Sequence, residues 1–430
     1  MFLGIDLGTS GCRVCAIDGA GREHASLAHP LPAPRRDGER VEQDSDLWWQ
    51  GVCALLDAFS TAIPAAEVRA IAVDGTSASL LLADGQGNAL GPALMYNDSR
   101  ARAESERITA LAPARCGAHG PSSSLAKLLY LLGQEPAGQA RHALHQADWI
   151  SGCLGGRWGV SDENNALKLG YDVERRRWPD WLASLGLLPG LLPEVVPPGT
   201  PIGTLRAELA HRWGFPTDTR IVAGTTDSTA GFLATGARAP GTAVTSLGST
   251  LVLKVLSPTP VFAPEYGVYS HRLGELWLAG GASNSGGAVL LQYFTLAQLD
   301  ELTPRLRPGV PTGLDYYPLC APGERFPIQD PQLAPRIEPV PDDPVQLLQG
   351  LLEGMADIEA RGYRLLAELG APYPSEVRSV GGGAMNDAWT RIRADRLGVP
   401  VVHADHQEAA YGAALLARGM HHLGGTGQYA

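Results

Sequence analysis

The sequence predicts an α/β protein of two related domains facing one another across a cleft, and three observations predict it. Short apolar strand-like runs alternate with helical segments in both halves of the chain. Leu7-Gly8-Thr9-Ser10 lies between two such strands, and Leu247-Gly248-Ser249-Thr250 does the same about half a chain later, so each half presents a hydroxyl-rich turn. At 430 residues the chain exceeds the ~100–200 residues usual for one domain.

From the start, FLGID, CRVCAID and HASLAHPL read as strands of a meander joined by Gly-rich turns. DSDLWWQGVCALLDAFSTA reads as a helix capped by Asp44 or Ser45. VRAIAVD is a strand leading into Gly75-Thr76-Ser77, LLLADGQGNAL is a strand and turn, and residues 100–135 are mostly helical around SLAKLLYLLG. RIVAG is a strand, and TTDSTAGFLATG begins a helix. AVTSLGSTLVLKVLS is strand, turn, strand; VYSHRLGELWLAGG is a hairpin; NSGGAVLLQYF is a helix. Residues 308–344, rich in Pro and Gly without a long period, read as an ordered surface insertion lining a substrate cleft. DDPVQLLQGLLEGMADIEARGYRLLAEL is a helix with Asp343 as cap and Pro344 at its first position. VRSV, GGGAMNDAWTRIRADRLG and VPVVHAD give strand, Gly loop with helix, and strand. QEAAYGAALLARG is a closing helix, and the terminal GGTGQYA is expected to be disordered.

Composition narrows the function. Apolar residues make up 44% and charged residues 18%, as in an ordinary globular protein. A net charge of −11 disfavours a nucleic-acid binder; a single nucleotide remains compatible, since backbone N–H groups and a metal can hold it. No apolar run approaches the ~18 residues of a membrane span. Asp6 interrupts the first apolar stretch, which reads as a strand and not a signal peptide. Six cysteines in this length make no disulfide framework, which points to a reducing cytoplasm. Cys12 and Cys15, three apart on a strand, point to opposite faces and read as packing residues, not a metal clamp. His271, His403 and His406 lack metal-ligand spacing. Nothing here assigns an oligomeric state.

The residues with chemical potential sit at the strand ends. Turns of the Gly-Thr-Ser-Gly and Gly-Ser-Thr type expose backbone N–H groups and small hydroxyls, and glycine lets the chain approach phosphate closely. Each is equally an ordinary hairpin turn. Asp6 enters the first turn and Asp227 opens the helix after Gly-Thr-Thr. Asp227 is read either as a helix cap or as the base for an attacking hydroxyl, with Asp6 holding hydrated Mg²⁺ against phosphates. Asp74 is read as tying down the Gly75-Thr76-Ser77 turn by side-chain hydrogen bonds. Gly381-Gly382-Gly383 could carry an adenine laid flat, with Asn386 at its edge and Trp389 on its ring; the other reading is a strand-to-helix turn with a core Trp. Lys127 is placed on an exposed helix face, and Lys168 in a polar loop.

On these residues the chain resembles the FGGY carbohydrate kinases, within the actin-like ATPase superfamily, nearly from end to end. The matching stretches are GIDLGTSGCR, VDGTSASLLLAD, NALKLGYD, AGTTDSTAGFLATGA, VTSLGSTLVLK, GGASNSGGAVL and GGGAMNDAWTRIRADRLGVPV. VDGTSASLLLAD, SSLAKL, NALKLGYD and LDYYPL are most similar to the D-ribulose kinase branch of plants and cyanobacteria; glycerol and xylulose kinases carry other residues at Gly75-Thr76-Ser77. The resemblance implies two RNase H-like domains. Residues 1–234 form the sugar and catalytic side and 235–407 the nucleotide side; within 408–430 a helix returns to the first domain. It implies Asp227 as catalytic base, Asp6 on metal and sugar, and Thr9 on phosphate. Ser10, Gly11 and Ser77 fall at the sugar, Gly248 and Ser249 in the second phosphate loop, and Gly382, Gly383, Asn386 and Trp389 in the adenine pocket. The implied metal, Mg²⁺, is held by Asp6 and Asp227 through water.

The implied reaction is ATP-dependent phosphorylation of D-ribulose to D-ribulose 5-phosphate, in the cytoplasm, without nucleic acid or membrane. The alternative within the family is D-xylulose or another polyol. From other classes come a nucleotide-switch ATPase of the actin or chaperone kind and a non-catalytic sugar-binding regulator; intact Asp6 and Asp227 argue against the second.

Overall fold

The computed structural model describes residues 1–187 and 190–419, so the expected disorder of GGTGQYA lies outside the described residues. The chain divides into two compact units. One comprises Met1–Ala234, His271–Gly274 and the segment from Glu408; the other comprises Thr235–Ser270 and Glu275–Gln407.

In the first unit, six strands lie in the order Pro201–Thr204, Arg220–Thr226, Ala70–Gly75, Phe2–Leu7, Gly11–Ile17, Glu23–Pro30. Phe2–Leu7 is antiparallel to Gly11–Ile17 and parallel to Ala70–Gly75, which is parallel to Arg220–Thr226. The central strands are apolar on both faces, as a sheet covered on both sides requires. One face is covered by the helix Ser45–Phe59, whose Trp48, Leu55, Leu56 and Phe59 pack against Leu3, Ile5 and Leu7. Asp44 is its cap, accepting from the Asp46 N–H. The helix Ala409–Ala417 packs on the other face. A Cβ on Gly4 would stand 1.9 Å from the Ala410 carbonyl oxygen, and one on Gly412 1.8 Å from that of Ala230. Only glycine permits this approach, and it brings the closing helix against both the first strand and the helix Asp227–Ala234. Cys12 belongs to the core on one face and Cys15 to that on the other. Burial pushes both thiols up to about 12, so they stay protonated packing residues.

The second unit repeats this plan. Leu276–Ser283, Leu251–Ser257, Thr242–Leu247, Glu376–Val380 and Val401–His403 lie side by side in that order, joined antiparallel, antiparallel, parallel and parallel. Glu23–Pro30, Gly11–Ile17, Phe2–Leu7, Ala70–Gly75 and Arg220–Thr226 have the same order and senses. The echo of two tetrapeptides is therefore an echo of two five-strand sheets, and both units are mixed α/β.

Two readings are corrected here. Residues 308–343 carry no long helix or strand, yet they are not merely a surface insertion. Tyr316, Leu319 and Phe326 are buried with Leu253 and Tyr363 in the second core, and buried Glu324 accepts from Ser283 Oγ at 2.6 Å, the Asn284 N–H at 2.8 Å and Tyr317 OH at 3.0 Å. Residues 100–135 hold two helices, Arg102–Leu111 and Ser124–Leu132. The second of these buries Lys127 completely instead of exposing it. Among the described residues no helix is long and apolar enough to cross a membrane.

Candidate active site

Three carboxylates gather at the C-terminal ends of adjacent strands in the first unit. Asp6 stands opposite Asp74 in the parallel register, and Asp227 follows the neighbouring strand as the first residue of its helix. Asp74 is fully buried, and neither of its oxygens meets a protein N–H or O–H donor. It does not tie down its turn. Its partner is the Asp6 carboxyl, and two ionised carboxylates cannot hydrogen-bond. One proton between them resolves the conflict: burial, then the charge of Asp6, holds Asp74 well above the ordinary carboxylate range, with Asp227 adding to it. With that proton on Asp74, its carboxyl would donate to Asp6. Burial also raises Asp6, while that bond and Arg13 oppose the rise. Asp227 is half-buried, and its Oδ1 accepts the Ser228 N–H at 2.6 Å.

The first hydroxyl turn closes with the Gly8 N–H donating to the Gly11 carbonyl at 3.0 Å. Thr9 and Gly11 are half-buried, and Ser10 is exposed at the tip. The turn after Asp74 is held by a residue the sequence does not single out. Gln146, first residue of the helix Gln146–Gly155, accepts from the Thr76 N–H at 3.0 Å and from Thr76 Oγ1 at 2.8 Å through its Oε1. Ser77, next in the chain, is half-buried. No motif marks Gln146 in advance; only the fold brings it 70 residues back to Thr76. Ser124, His145 and Asp148 form a relay, with His145 Nε2 2.9 Å from Ser124 Oγ and Nδ1 3.0 Å from Asp148 Oδ2. Ser124 and His145 are both 0% exposed, so this is a core brace and not a hydrolytic triad.

The second unit brings its two glycine turns together. A Cβ on Gly381, whose φ is +86°, would lie 2.9 Å from the Leu247 carbonyl, so the triple glycine lies against the Gly248–Ser249–Thr250 turn. That turn also meets a helix start: the Gly287 and Ala288 N–H groups donate to the Gly248 and Ser249 carbonyls at 2.9 and 3.2 Å. Ser249 and Gly382 are exposed. Asn386 is the cap of the helix Asp387–Leu397, its Oδ1 accepting the Trp389 N–H at 2.9 Å. Trp389 is 2% exposed and part of the core. A Cβ on Gly383 would strike its ring at 2.5 Å, so the indole supports the glycine loop and has no open face for a base. Met385 is the exposed side chain here, at 81%.

Beneath these turns runs a buried polar network. Arg393 donates to both oxygens of Glu359 at 2.6 and 2.7 Å and to Ser379 Oγ at 2.7 Å. Thr245 Oγ1 donates to the same Glu359 at 2.5 Å. Thr245 lies three residues before Gly248 and Ser379 two before Gly381, so one ion pair fixes both strand ends. In the five-strand correspondence Asp6 and Asp74 match Ser246 and Val380, so only the first unit carries this acid pair.

Compared with family models, residues 1–234 match the N-terminal domain and residues 243–419 the C-terminal domain of the FGGY family of carbohydrate kinases. The xylulose kinase of Escherichia coli (strain K12) is 27% identical, over 92% of this chain and 84% of its own length. That of Streptomyces coelicolor is 30% identical, over 98% and 88% respectively. A solved structure described as a xyloylose kinase from Brucella ovis superposes with a TM-score of 0.87 at 27% identity, covering 97% of this chain and 89% of that one. None of these three is named for D-ribulose.

Proposed function

Because the chain belongs to the FGGY family of carbohydrate kinases and is an ATP-dependent sugar kinase, we propose that it transfers the γ-phosphoryl group of ATP to the terminal hydroxyl of a free ketopentose. The names of its relatives favour D-xylulose over the D-ribulose that the Gly75-Thr76-Ser77 turn suggests, and D-xylulose is the acceptor put forward. The observation that carries the chemistry is the acid cluster of Asp6, Asp74 and Asp227 beside the Thr9-Ser10 turn, without counterpart at Ser246 and Val380.

Asp227 takes the proton of the acceptor hydroxyl as its oxygen bonds to phosphorus and the bond to the ADP oxygen breaks. Asp6, accepting a hydrogen bond from the Asp74 carboxyl, is oriented towards sugar and phosphate. Thr9 binds phosphate, and Ser10, Gly11 and Ser77 contact the sugar. The turn at Gly248 and Ser249 binds the nucleotide phosphates, and Gly382, Gly383 and Asn386 carry the adenine, with Trp389 beneath them.

Asp6 and Asp227, two carboxylates at adjacent strand ends, suit Mg²⁺, which binds through one or two carboxylates, water and substrate phosphates; they would hold it through water. Bound there, the ion neutralises charge on the phosphates in transfer.

ADP release is to be measured over D-xylulose, D-ribulose, other ketopentoses and polyols. Release dependent on D-xylulose, with the highest kcat/KM in the panel, supports the reading. Higher kcat/KM with D-ribulose or a polyol moves the acceptor, and ADP release without any sugar points to the nucleotide-switch ATPase.

A further inference from the structure

Lys127 is the most deeply buried lysine among the described residues. It lies in the helix Ser124–Leu132 at 0% exposure. Its Nζ donates to three backbone carbonyls: Met95 at 2.7 Å, Ala78 at 2.8 Å and Tyr96 at 3.2 Å. Only the ammonium form has three N–H donors for three acceptors. Burial pushes that ammonium down to about 7; Asp98 opposes, and Lys168 and Arg100 add.

Ala78 explains the placement. Its φ is +70°, in the left-handed region that a residue with a Cβ adopts at a cost. It sits between Ser77 and Ser79 in the turn that follows Asp74. Ser79 Oγ contacts Thr76 Oγ1 at 2.6 Å and accepts the Tyr96 N–H at 2.9 Å. The lysine thus fastens the strained residue to the chain at Met95 and Tyr96, and Ser79 ties the same turn to Thr76 and Tyr96.

We propose that Lys127 is a positioning residue for sugar recognition, holding Ala78 in its left-handed conformation so that the Ser77 hydroxyl is presented to the acceptor. This rests on the reading of Ser77 as a sugar contact. Lys127 itself touches neither sugar nor nucleotide; it acts through the Ala78 carbonyl.

The test is the steady-state kinetics of Lys127→Met and of Lys127→Met with Ala78→Gly, with D-xylulose and ATP varied in turn and folding checked by circular dichroism. Lys127→Met is expected to raise the sugar KM about tenfold or more while the ATP KM stays within about twofold. Glycine adopts the left-handed conformation without cost. The second substitution should therefore recover about threefold of the loss or more. A folded Lys127→Met protein with parental sugar KM overturns the proposal, as does an equal rise in both KM values with no recovery. Lys127→Gln, shorter but still a donor, is made if Lys127→Met does not fold. Failure of every Lys127 variant to fold, with or without Ala78→Gly, would make the lysine a requirement of the whole unit and also overturns it. A parent protein with no sugar-dependent ADP release would instead sink the kinase reading of the site.

Discussion

Asp74 shows what a single buried proton does. Its pKa is raised first by burial and then by Asp6. Above the ordinary carboxylate pKa and below the raised value, the folded chain keeps a proton that the unfolded chain has lost. Stability therefore falls as pH rises through that window, from about pH 4 upward. Asp74→Asn keeps the shape and removes the titration. Thermal unfolding of the metal-free variant should depend less on pH above about pH 4 than the parent; equal dependence would mean that no proton is shared with Asp6. Trp389 makes a second residue-scale prediction. Trp389→Ala should cost about 3–5 kcal/mol in denaturant unfolding of the second unit, whereas a base-stacking Trp would lower ATP affinity at unchanged stability. The places of Asp6 and Asp227 at adjacent strand ends were legible in the sequence, because an acid ending an apolar strand before a Gly turn, or opening a helix after Gly-Thr-Thr, is conspicuous. Asp74 and Lys127 were misread because strand register and a cage of backbone carbonyls leave no mark in side-chain pattern.

Among the elements, the helices Pro344–Glu368 and Asp387–Leu397 are joined through Glu359 and Arg393, both essentially unexposed. Arg393→Met leaves a buried carboxylate with its hydroxyl partners but no cation. The expected loss is about 3–5 kcal/mol, against a much smaller loss when Glu359→Leu is added, because a buried pair is worth little more than apolar packing. Chemical denaturation of the single and double variants reads the difference. Helices were the easiest elements to find: Asp343 and Pro344 mark the start of one, and Asn386 caps another. The Pro-rich segment was the hardest. Its buried Tyr316 and Phe326 follow no period, and their burial comes from chain that covers the core without regular structure.

For the whole molecule, the repeat was legible from two tetrapeptides, and the structure extends it to five strands in each unit. Sequence could not weigh one acceptor sugar against another, since sugars differing at one hydroxyl are told apart by hydrogen-bond placement. The relatives the chain matches are named for xylulose and not for ribulose. Phosphoryl transfer as proposed requires a base at the head of the Asp227–Ala234 helix. Asp227→Asn decides it: D-xylulose-dependent ADP release should fall about 10²–10⁴-fold while calorimetry finds ATP and sugar still bound, and a variant within about threefold of the parent rate would contradict it.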